Sequence, residues 1–185
     1  MTHYQSFRFI NKMGIFIILL SSLFVLTGCP YSSSYKIDDE PSVLTEDFFV
    51  GKWATIIKGA DGLDRPVKMI VDKLNDYEYD LNFTGNIQAL TNYNIIREDT
   101  IKATAFVSEA ASRRFLNIKI KGQYYISEFI YKDDKITILP LCDHFTMKLI
   151  KNNTELKQAV ELHFKMRRYP LYDEEFCLKE MARVN

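Results

Sequence analysis

Tyr77-Glu78-Tyr79-Asp80-Leu81-Asn82-Phe83 alternates large apolar and polar side chains without a break. Successive side chains of an extended chain point to opposite faces, so this order places Tyr77, Tyr79, Leu81 and Phe83 together on one face. The stretch predicts a half-buried β-strand, ended by Gly85-Asn86. The same period of two recurs on both sides of it. Upstream, Trp53-Ala54-Thr55-Ile56-Ile57 and Val67-Lys68-Met69-Ile70-Val71 read as strands, the second leading into an Asn75-Asp76 turn. Downstream, Tyr93 to Ile96 suggests a strand. Ile101, Ala103, Ala105 and Val107 alternate next, followed by a connection at Ser108 to Ser112 and by Leu116, Ile118 and Ile120. Tyr124 to Tyr131 faces Ile136 to Leu141 across a Lys132-Asp133-Asp134-Lys135 turn. Phe145, Met147 and Leu149 suggest one more strand.

The period then changes. Asn152-Asn153-Thr154-Glu155 offers an N-cap with a carboxylate three residues on. Beyond it, Leu156, Ala159, Val160, Leu162, Phe164 and Met166 fall on one helical arc, and Pro170 closes the helix. Phe176 to Val184 reads as a last strand. About eight to ten short strands in meander order with one late amphipathic helix predict a mainly β protein. The expected form is an antiparallel up-and-down barrel with the helix packed on it, because closure removes the exposed edges that consecutive hairpins would leave. A barrel of about eight strands has an interior that is either filled or holds one small ligand.

Gly51-Lys52-Trp53 resembles the Gly-x-Trp signature of lipocalins, and the late helix followed by a short strand is also similar to that family. The resemblance implies a lipocalin-like barrel over residues 48–185, with Trp53 closing its base.

A second resemblance lies at the N-terminus. Arg8 and Lys12 supply positive charge, Met13 to Leu26 is an apolar run, and Leu26-Thr27-Gly28-Cys29 follows. The run is short of the roughly 20 residues a spanning helix needs and suits a signal peptide. The four residues resemble the lipobox of bacterial lipoproteins. That implies removal of residues 1–28 as a signal peptide and attachment of diacylglyceryl, with palmitate-type chains, to the Cys29 sulfur. More than one acyl chain makes membrane association stable. Pro30 rather than Asp after the cysteine favours the cell outer membrane where the host has two membranes. Residues 29–47, with Ser32 to Ser34, Asp38 to Glu40 and Pro41, read as an acylated flexible tether. A coil of that length reaches on the order of 25 Å.

Chemistry is sparse. The 24 basic residues balance the 24 acidic ones, and removing Arg8 and Lys12 leaves a slight acidic excess, which argues against nucleic acid as a partner. No Gly-x-Ser-x-Gly elbow, phosphate loop, dinucleotide fingerprint or His-Glu-x-x-His occurs. Cys142, His144, His163 and Cys177 are zinc-type residues at spacings that fit no zinc clip. No catalytic set, metal centre or cofactor is therefore expected. With Cys29 taken by lipid, Cys142 and Cys177 form an even pair in an oxidising compartment. A bridge between them would contribute roughly 3–4 kcal/mol; two free buried thiols are the alternative.

The aromatic residues supply the candidate binding surface. Trp53, Tyr77, Tyr79 and Phe83, with Tyr125 and Phe129 facing them, could line a lumen for a small hydrophobic ligand or fill it. The expected function is that of a non-enzymatic, lipid-anchored binding protein of the cell envelope. Its partner is either a small hydrophobic ligand in the lumen or, with a filled core, an envelope protein met as an assembly factor, inhibitor or toxin-neutralising lipoprotein.

Overall fold

The computed structural model describes residues 30–58, 62–85 and 100–184. The leader, Cys29 and the strand expected at Tyr93 to Ile96 lie outside the described residues.

Eight antiparallel strands close into a barrel: β2 (Gly51–Lys58), β3 (Asp64–Lys73), β4 (Glu78–Gly85), β5 (Thr100–Ala110), β6 (Arg113–Ile120), β7 (Gln123–Lys132), β8 (Lys135–Pro140) and β9 (Leu178–Val184). Each pairs with the next in sequence, and β9 pairs back onto β2. This is the expected lipocalin-like up-and-down barrel. A short extra strand, β1 (Ser32–Ser33), adds to β7 beyond the part that β8 covers. The tight hairpins at Ala111-Ser112 and Asp133-Asp134 have φ between 51° and 57° at both central residues. Turns of that hand match the twist of the flanking strands.

Inward residues follow the alternation of the sequence. Trp53, Met69, Val71, Leu81, Leu116, Ile136 and Met181 meet in one core inside the barrel. On β9 the period slips, because Leu178 and Met181 both point inward across a bulge marked by Glu180 at φ 49°.

A second core lies outside the barrel. Among the described residues the α-helix is α1 (Asn153–Met166), capped by Asn152, whose side chain accepts the Glu155 N–H at 2.8 Å. Its residues Leu156, Ala159 and Val160 pack with Phe115 and Ile126 from the outer faces of β6 and β7, and with Ile37 from the N-terminal segment. Burying Leu156 and Val160 contributes roughly 1.5–3 kcal/mol each. The buried stripe is narrower than the apolar arc of the sequence, for Leu162 and Met166 are exposed while His163 is buried.

Two other expectations are corrected. Residues 30–47 are not a solvated coil: Ile37 is 1% exposed, and its N–H donates to the Asn117 side chain at 2.8 Å. The polar residues around Ile37 are held by specific bonds, Lys157 to Asp38 and Asn153 to Asp39. Phe145, Met147 and Leu149 do not form a strand either. Both edges of β8 are already paired, with β7 and β9, and the chain leaves through a 3-10 turn at Asp143–Phe145.

Candidate functional site

The barrel has two unlike ends. One carries the turns at Leu74–Tyr77, Ala111-Ser112 and Asp133-Asp134; the other is where β2, β4, β6 and β8 finish. The first is plugged. Trp53, with no exposure, donates its indole N–H to the Phe49 carbonyl at 2.9 Å. Arg183 lies over its ring, 4.6 Å from the centroid, and donates to the carbonyls of Val50 and Phe48 at 2.8 and 2.6 Å. Gly51 permits this approach: it sits at φ 135°, and a Cβ there would meet an Arg183 nitrogen at 2.6 Å. Phe49 packs edge-on to Tyr79 at 4.8 Å and tilted on Phe129 at 4.7 Å. The Tyr79 hydroxyl accepts the Glu46 N–H at 2.6 Å, which ties the approach to β2 across the same end. Burial raises the pKa of that hydroxyl, ahead of the opposing Glu46 N–H bond.

Among the described residues, the interior next to this plug is filled. Trp53, Met69, Val71, Leu81, Leu116, Ile136 and Met181 all have no accessible area. A side chain in that state borders neither bulk water nor a void able to admit a water molecule.

The six residues expected to line a lumen thus separate into three groups. Trp53, Tyr79 and Phe129 belong to the plug. Phe83 lies toward the far end, where Ile57, Ile101 and Ile118 keep 5–9% exposure and Tyr125 is half-buried. Burial, and secondarily the Asp143 charge, raises the Tyr125 pKa. Tyr77 is outside the barrel altogether. It is 42% exposed in the turn before β4, because Asn75 Oδ1 accepts the N–H groups of both Tyr77 and Glu78 and turns the chain away. There it helps line an open depression of about 410 Å³ with Glu40, Pro41, Asn75, Asp76 and Glu78.

Cys142 and Cys177 are free buried thiols, which corrects the expected bridge. The Cys177 sulfur is turned to the Asp173 carbonyl at 3.2 Å, and burial pushes this thiol up to about 12. Burial raises the Cys142 thiol as well. His163 accepts the Leu171 N–H on Nε2 at 3.0 Å, and burial holds its pKa below the usual value. Asp173, 4% exposed, is pushed up to about 6 by burial despite the Glu175 N–H that it accepts. Among the described residues no group of three or more His, Cys, Asp or Glu is placed to hold a metal ion.

The polar groups that organise the outer core were not legible as such. Glu128, 3% exposed on the outer face of β7, pairs with Arg113 at 2.5 Å and accepts the Tyr172 hydroxyl. Desolvation and this bond raise the Tyr172 pKa. Asn117, with no exposure, accepts the Ile37 N–H and donates to Ser108 Oγ at 2.9 Å. Each occupies a polar position of a strand alternation, which on sequence grounds signals solvent.

No family model, no curated protein and no solved structure matches this chain.

Proposed function

We propose that this chain is a lipid-anchored cell-envelope protein that acts by binding another envelope protein on the outside of a filled barrel. The state of the lumen carries the reading. Trp53, Met69, Val71, Leu81 and Leu116 have no accessible area, and the Tyr79 hydroxyl is already bonded. Side chains that would line a deep ligand cavity are instead its contents. The anchor rests on the leader and on Leu26-Thr27-Gly28-Cys29. Binding rather than catalysis is supported by the buried titratable groups. The two thiols are biased toward the un-ionised, weakly nucleophilic form, and the His163 Nε2 lone pair is engaged by backbone.

A second reading has one specific observation in its favour. Phe83, Ile57, Ile101 and Ile118 keep some exposure toward the far end, beside half-buried Tyr125. An apolar molecule of modest size could be held there. Native mass spectrometry of the protein extracted in detergent from its host separates the two. A mass accounted for by the chain and its acyl groups supports binding on the surface. A small molecule that is carried along and released on denaturation decides for the far end of the lumen.

A further inference from the structure

We infer that the folded domain sits directly on the membrane that holds its anchor, through residues 146–151 and the last turn of α1, with no spacer between lipid and barrel. The inference rests on the reading that Cys29 is acylated.

The position of the chain start carries it. Pro30, bonded directly to Cys29, bridges to Cys142, and the Tyr31 N–H donates to the Leu141 carbonyl at 2.7 Å. The Tyr31 ring meets Phe145 edge-on at 4.7 Å. Adjacent Cα atoms are about 3.8 Å apart, so acyl chains on Cys29 would leave the protein within a few ångströms of this bridge.

What surrounds that point suits a bilayer surface. Two residues beyond Phe145 the chain presents Met147, 102% exposed, and Leu149, 76% exposed, interleaved with exposed Lys148 and Lys151. Phe145 also meets His163 at 5.9 Å, which brings up the end of α1 with Met166, 75% exposed, and Arg167. Apolar side chains that enter the acyl boundary and cations that meet anionic headgroups are what an interfacial contact requires. No helix among the described residues is long and apolar enough to cross a membrane. Strands β3 and β4, with the Leu74–Tyr77 turn, lie across the closed ring from β7 and so face away from the lipid.

Fluorophore attachment tests this. Met147→Cys and, in the turn between β3 and β4 across the ring from β7, Leu74→Cys (Leu74 is 53% exposed) are each labelled with a thiol-reactive bimane. With the Cys29 sulfur acylated, the two remaining native thiols are buried and raised in pKa, so labelling selects the introduced one. The acylated full-length protein is placed in phosphatidylethanolamine–phosphatidylglycerol vesicles carrying doxyl-labelled tails, and its intact mass is recorded. The label at 147 is expected to be quenched roughly twofold or more, with little change at 74, as for side chains seated at the acyl boundary. Equal quenching at both positions, or at neither, in protein whose mass includes acyl chains overturns the seating and leaves the anchor standing. A mass without acyl chains overturns the anchor, and the seating with it.

Discussion

Arg183 covers Trp53: the guanidinium lies 4.6 Å from the indole centroid while it donates to the carbonyls of Val50 and Phe48. One side chain from β9 thus locks β2 and the segment that plugs the barrel. Trp53 is the only tryptophan in the chain, so its fluorescence reports on this lock. Arg183→Met keeps an apolar stem and removes the cation and both hydrogen bonds. The expected cost is about 1–2 kcal/mol, or roughly 3–6 °C in Tm. Acrylamide should quench Trp53 poorly in the parent protein and more strongly in the variant. Equal quenching in the two proteins would show that Arg183 does not hold the plug.

Asn117 does the equivalent work on the outside, holding the N-terminal segment through the Ile37 N–H. Asn117→Ala leaves that buried donor without its acceptor, at an expected cost of about 1–3 kcal/mol. Hydrogen exchange locates the effect: amides of residues 31–38 should exchange faster in the variant, while those of β3 and β4 keep their protection. Exchange of residues 31–38 at coil rates in the parent protein would contradict the packed segment.

Asp173 gives stability a pH dependence of definite sign. Its folded pKa is about 6, against about 3.9 for a free side chain. The folded state therefore binds the extra proton between these values, and stability from this group is full below about pH 4 and is lost as pH rises through 6. Asp173→Asn retains an acceptor for the Glu175 N–H and removes the ionisation. It should be the more stable protein at pH 7.5, by on the order of 2 kcal/mol, with the difference vanishing near pH 4. The lowered pKa of His163 acts in the opposite sense, destabilising the fold as pH falls through the usual histidine range, and is common to both proteins. A difference in urea midpoint that does not change with pH would refute the assignment to Asp173.

The barrel was legible because its inner face obeys a period of two. Trp53, Met69, Tyr79, Leu81 and Leu116 all point inward as their alternation demands. The outer core was not. Phe106, Ser108, Phe115, Asn117, Ile126 and Glu128 occupy the other face of β5–β7, which reads as solvent until α1 and residues 31–37 cover it. A lone Ile37 among serines and acids has no period to announce its burial. Tyr77 continued the alternation of β4 by one residue, and only the Asn75 turn removes it. Spacing likewise made Cys142 and Cys177 available for pairing, whereas the direction of the Cys177 sulfur depends on the turn that begins at Asp173.

Whether Cys29 carries lipid decides the account most directly. The full-length chain, expressed in a bacterium and extracted from its membranes with detergent, is digested and its N-terminal peptide weighed. The account predicts a mature terminus at Cys29 with a diacylglyceryl thioether, and loss of membrane association for Cys29→Ala. A terminus at Met1, or an unmodified Cys29, would contradict it.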